Sequence, residues 1–249
     1  MSSPLHQFQI ETIAPFELGG LHLPFTNAAL FAGLAALLAS VFLVGGLRRG
    51  ALVPGRWQAA AEVMYGFVAS MVQENAGEKA KPFVPFMLTV FMLIFFGNLL
   101  GMIPGGFTFT GQVSATMTLA MVVFLLIVMV GFIKQGLGFF RIFLPSGIPW
   151  FLAPLMVVIE TIVFLARPFT LALRLFMNMF AGHLMLKIFA GFVVSMGAAL
   201  GVGGYFLGIL PMAFIVALTG LELFVAALQA YIFAILSSVY LHDALSSGH

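Results

Sequence analysis

Between Lys81 and Lys134 the chain carries no charged side chain. A run of that length without Asp, Glu, Lys or Arg does not suit a water-soluble fold. It is long enough for two helices of about 20 residues each, the length needed to cross a bilayer. The sequence PGGFTFTG at 104–111 divides the run, because Pro104 and the paired glycines end a helix and favour a turn. Spans are therefore expected near 84–103 and 114–133. Pro82 and Pro85 fit the start of the first, where a missing N–H costs little. Composition agrees: 62% of the 249 residues are hydrophobic and 7% are charged. Soluble domains carry roughly 25% charged residues, so this is an integral membrane protein.

Residues 25–47 form another uncharged span, centred on ALFAGLAALLASVFLVGG. Beyond Pro149 lie two longer helical stretches, 150–195 and 205–242, with GAALGVGG (197–204) as the hinge between them. Both exceed what a helix perpendicular to the bilayer requires, which predicts strong tilt or bending. No alternation of the kind a membrane barrel needs is present. Segment 57–76 has basic flanks and carries Glu62, Gln73 and Glu74, which suits an amphipathic helix lying in the interface. Were it a sixth crossing, everything downstream would be inverted. The expected fold is thus all-α, a single membrane domain of five transmembrane helices plus one interfacial helix, with residues 1–24 external. Basic residues cluster at Arg48, Arg49 and Arg56, at Lys79 and Lys81, and at Lys134 and Arg141. The positive-inside rule then puts the N-terminus outside and the C-terminus in the cytoplasm.

Several function classes fall away. The net charge of +2 comes from scattered basic residues with no aromatic-interleaved stripe, so no nucleic-acid partner is expected. The absence of cysteine excludes disulfides, thiolate metal sites and iron–sulfur clusters. The first basic residue is Arg48, so no cleavable signal is expected. No GxxxxGK[ST] motif occurs, so any nucleotide chemistry belongs to other chains. His6, His22, His242 and His249 lie near the termini, and His183 alone at membrane depth makes neither a metal nor a haem site.

Arg174 stands within TLALRLFMNMFAGHL, in a region that is otherwise nearly all hydrocarbon. A guanidinium does not shed its proton at biological pH, and placing one at mid-membrane costs at least ~2.5–3.5 kcal/mol. On a helix turning about 100° per residue, Glu160, Arg167, Arg174 and Asn178 fall within about 40° of one stripe, and His183 lies roughly 140° from Glu160. On the second long helix Glu222, Gln229 and Tyr240 fall within about 20° of one another. Lipid does not tolerate two such seams, so they face each other, water or another protein. The plain structural alternative for Arg174 is a salt bridge within the chain, and for His183 and Glu222 a mutual pairing that only holds helices together. Asn178, Gln229 and Tyr240 are equally suited to gluing helices. Arg167, before Pro168, and Lys187 are read as snorkelling toward opposite interfaces.

The segments LRLFMNMFAGHL (173–184), ELFVAALQAYIFAIL (222–236) and NLLGMIPGGFTFTGQVS (98–114) resemble the a-subunit family of F-type ATP synthases. The resemblance runs from about residue 25 to 242. It implies the stator half of a rotary proton turbine, with two aqueous half-channels and the last two helices as a hairpin against the c-subunit ring. It implies that Arg174 faces the ring carboxylates with Gln229 beside it. His183 and Glu222 then form the pair on the side where protons enter, and Glu160 lies on the exit side. Asn178 and Tyr240 match polar positions lining the half-channels. The order of His183 and Glu222 looks like the mitochondrial and alphaproteobacterial branch, since many bacterial members carry the pair exchanged. Met177 departs from the small residues common at its position. Implied partners are the c-ring, the b and b′ peripheral-stalk subunits, the soluble catalytic head indirectly, and membrane lipids. No cofactor or metal is implied. The implied location is a bacterial inner membrane, with the mitochondrial inner membrane as the alternative. Two rival functions are a self-contained ion transporter and a structural scaffold. Against the first, the deep charges all lie after residue 150, with no repeated half before it. The second leaves an Arg, a His and two Glu in lipid without purpose.

Overall fold

The computed structural model describes residues 10–18, 21–48, 50–51, 53–103, 106–144, 151–200 and 202–246. Pro104, Gly105, Pro149, Arg49, His6 and His249 lie outside the described residues. Six α-helices follow one another: α1 (Asn27–Leu47), α2 (Arg56–Ala76), α3 (Val84–Gly101), α4 (Val113–Gln135), α5 (Ala153–Leu200) and α6 (Val202–Ser246). Five helical stretches are long and apolar enough to cross a membrane, and α2 is not among them. The chain is an all-α membrane protein with five such spans.

Local chemistry sets the helix ends. Thr26 caps α1 by accepting the Ala29 N–H at 3.3 Å. Gly77 (φ 76°) and Gly136 (φ 55°) follow α2 and α4 in the left-handed half of backbone space, which favours glycine. Pro85 lies in the first turn of α3, where its missing N–H is an orphan in any case. Pro168 and Pro211 sit inside α5 and α6 without ending them. Packed neighbours in a membrane bundle make such prolines tolerable. Helical backbone runs through Leu200 and resumes at Val202, so the glycine-rich stretch 197–204 is itself helical apart from Gly201, which lies outside the described residues.

The N-terminal segment holds an element that hydropathy does not suggest. β1 (Thr12–Leu18) and β2 (Leu21–Thr26) pair antiparallel, with an irregularity in register between Thr12 and Ala14. Asn27 extends the pairing by donating its N–H to the Glu11 carbonyl at 3.1 Å.

The core lies where α3, α4, α5 and α6 converge, around Met87, Met92, Ile94, Val123, Leu175, Phe233 and Leu241, all essentially inaccessible. On α6 many of the buried positions are small: Ala226, Ala230 and Ala234, then Ser237 and Ser238. Small residues four apart let helices approach closely, which is how membrane bundles gain packing energy without a hydrophobic drive. α5 and α6 lie antiparallel. Val193 approaches Gly208, the Phe189 and Phe214 rings stack at 5.6 Å, and Arg167 reaches Asp243 near the other end.

Candidate functional site

The antiparallel packing of α5 and α6 gathers most of the polar side chains into two groups and leaves Arg174 outside both. The first group centres on His183, which is 8% exposed. Its Nδ1 lies 3.3 Å from Glu222 Oε1, and its Nε2 lies 2.7 Å from the Thr108 hydroxyl. Glu222 is 5% exposed, and neither carboxylate oxygen has a hydrogen-bond partner among the described residues. The 3.3 Å approach is therefore a close polar contact without hydrogen-bond alignment. Such a buried carboxylate keeps its acceptor capacity and can take up a proton.

Beside it opens a cavity of about 210 Å³ lined by Glu222, Asn178, Gly182 and apolar side chains from both helices. Gly182 permits the approach, since a Cβ there would lie 2.7 Å from Glu222 Oε1. Thr110 donates to Asn98 Oδ1 at 2.7 Å, and Asn98 Nδ2 donates to the Ala226 carbonyl at 3.1 Å, so the loop before α4 is tied to both α3 and α6.

The second group lies toward the start of α5 and the end of α6. Arg167 donates to Asp243 Oδ2 at 2.9 Å and stands 4.0 Å from Glu160. Its guanidinium lies over the Tyr240 ring at 4.6 Å and near the Phe164 ring at 5.4 Å. This corrects the reading of Arg167 as a snorkelling side chain. Only 13% of it is exposed, because the far end of α6 supplies a counter-charge and an aromatic face. Tyr240 and Glu160 both belong to this group.

Arg174 belongs to neither. It is exposed, and no hydrogen bond, ion pair or ring contact holds it among the described residues. Along α5 it is about 10 Å from Arg167 and about 14 Å from His183, at 1.5 Å of rise per residue. Exposed Leu173 and Met177 flank it. The internal salt bridge considered from sequence is absent here. Gln229 is buried on α6 and makes no hydrogen bond among the described residues. Lys187, four residues beyond His183, is half-buried.

Thr108, Asn98, Thr110 and Asp243 went unnoticed in the sequence. Thr and Asn near a turn carry no distinctive signal, and the roles of Thr108 and Asn98 depend on contacts with residues 75 and 128 positions away. Among the described residues no group of three or more His, Asp or Glu side chains could hold a metal ion.

A family model described as ATP synthase A chain matches residues 29–242. The protein named ATP synthase subunit a from Parvibaculum lavamentivorans is 49% identical over 246 residues, covering 99% of this chain and 94% of that one. The protein of the same name from Maricaulis maris is 47% identical over 255 residues, covering 100% and 99%. That of Agrobacterium fabrum is 50% identical over 250 residues, with the same coverage.

Proposed function

The chain belongs to the ATP synthase A chain family, and from that premise we propose that it is the proton-conducting stator of the rotary complex, with Arg174 as its fixed gate. Membership makes it a multi-pass membrane subunit of ATP synthase, acting in proton transport and ATP synthesis. The observation that carries the finer reading is Arg174: a permanent cation near the middle of an apolar helix, exposed and without a partner among the described residues. Hydrocarbon does not accept such a charge, so its counter-charge comes from outside the chain.

A ring of c subunits that carries carboxylates past this face supplies it. A carboxylate in lipid stays protonated, because an isolated charge there is too costly. Beside Arg174 the balance reverses, since a fixed cation favours the ionised form and proton release. Arg174 does not itself deprotonate, so protons do not pass along it. They enter through one half-channel and leave through another, and net flow then requires the ring to turn. In this reading His183, Glu222 and Asn178 serve the channel where protons enter, Glu160 and Tyr240 serve the exit, and Gln229 stands by Arg174. The membrane potential supplies about 2.3 kcal/mol per charge per 100 mV.

The side assignment has its own support. Thr108, which touches His183, belongs to the loop opposite the basic flanks of α3 and α4, and Phe107 there meets Phe31 near the start of α1. With basic loops in the cytoplasm, the His183 group faces the periplasm and the Arg167 group the cytoplasm of a bacterial inner membrane. The c-ring is then the partner of the Arg174 face, the b and b′ subunits brace the stator, and the soluble head makes ATP. Catalysis belongs to that assembly. Arg174→Ala in the assembled complex is expected to abolish proton-driven ATP synthesis and leave a passive leak. Coupled synthesis at the normal rate in that variant overturns the reading.

A further inference from the structure

We propose that Thr108 is a positioning residue for His183, holding Nε2 so that Nδ1 stays turned toward Glu222. The inference rests on the reading of His183 and Glu222 as a proton-passing pair. Both nitrogens of the His183 ring have a polar neighbour: the Thr108 hydroxyl hydrogen-bonds Nε2 at 2.7 Å, and Glu222 Oε1 lies 3.3 Å from Nδ1 without hydrogen-bond alignment. A neutral imidazole is a donor at one nitrogen and an acceptor at the other, and the bond made by one nitrogen sets what the other does. A threonine hydroxyl suits this place because it both donates and accepts. It can therefore follow the ring through either tautomer. Without it the ring has no polar partner at Nε2 among the described residues, and its broad terminal torsion is restrained by packing alone.

The loop is built to deliver that hydroxyl. Thr108 is 6% exposed, and its carbonyl accepts the Gly111 N–H at 2.9 Å. Two residues on, Thr110 is anchored to Asn98, which is itself bonded to α6. Against Thr108 lies Gly101, where a Cβ would stand 2.0 Å from the hydroxyl oxygen. Two connections thus fix the loop, and a glycine leaves room for the side chain between α3 and His183.

The test compares Thr108→Ser, Thr108→Val and His183→Ala in the whole complex, purified and reconstituted in lipid vesicles, with ATP synthesis driven by an imposed proton gradient. Rates are expressed per assembled complex. The Ser variant keeps the hydroxyl and is expected to stay within about twofold of the unaltered complex. The Val variant, of similar shape, is expected to run about tenfold slower, the scale of leaving one buried polar group unpaired. In a His183→Ala background, Thr108→Val should add no further loss, because the hydroxyl acts through the ring. Equal rates for Ser and Val, or losses that multiply in the double variant, overturn the positioning role. A His183→Ala complex with normal synthesis instead overturns the proton-passing pair on which the role depends. If Val impairs assembly, Thr108→Cys replaces it, keeping the size with only a weak donor, and the same outcomes decide.

Discussion

A methyl group added at Gly182 would lie 2.7 Å from Glu222 Oε1, closer than a carbon and a carboxylate oxygen tolerate. Gly182→Ala is therefore expected to displace the Glu222 carboxylate from His183 and to slow proton-driven synthesis several-fold, with complex content near normal. Synthesis at the unaltered rate would mean that the 3.3 Å contact is not needed. The same pair gives a second expectation: His183→Glu combined with Glu222→His should retain more activity than either single change. Purely additive losses would show that the two side chains do not work together. At this scale the sequence was informative where helical spacing alone decides. The positions of Arg174, His183 and Glu222 along the two long helices follow from counting residues. Thr108 and Asp243 did not emerge, because their partners are 75 and 76 residues away. No local pattern encodes such contacts.

Helix pairs are held by contacts that look modest singly. The Arg167–Asp243 bond ties the last turn of α6 to the first half of α5. Asp243→Ala should lower stability by about 1–2 kcal/mol, less than for a fully buried pair because 36% of the Asp243 side chain is exposed. A melting temperature of the detergent-solubilised complex that does not fall would remove the tie from the energetics. On α4, Gly131 faces the buried Phe139 ring of the following 3-10 turn, and an added Cβ would meet that ring at 2.3 Å. Gly131→Ala is expected to cost about 1–3 kcal/mol by overpacking, read as a lower melting temperature and less assembled complex. Hydropathy captures the apolar helices because length and composition are local properties. It passes over the N-terminal hairpin, whose signal was the Gly19-Gly20 pair between two strand-like runs.

For the whole molecule, orientation is the property that distribution of charge governs. The chain has no cysteine, so a single one introduced for labelling reports without background. A cysteine at Glu11 should react with a membrane-impermeant reagent from the periplasmic side, and one at Ser246 only after the membrane is opened. The opposite pattern would invert the proposed topology and exchange the two half-channels. The helical, five-span architecture was legible from composition and charge-free runs, since the bilayer leaves few alternatives. The arrangement of those spans was not, because which faces meet depends on small residues such as Ala226, Ala230 and Ala234.

That Arg174 has no polar partner among the described residues also bears on the history of each copy. If Arg174 faces the c-ring as proposed, a newly inserted chain keeps a bare cation against lipid until that partner docks, at a cost of at least ~2.5–3.5 kcal/mol. Maturation then has a built-in direction: docking relieves the newcomer, and an orphan stays marked as incomplete by the residue it will later need.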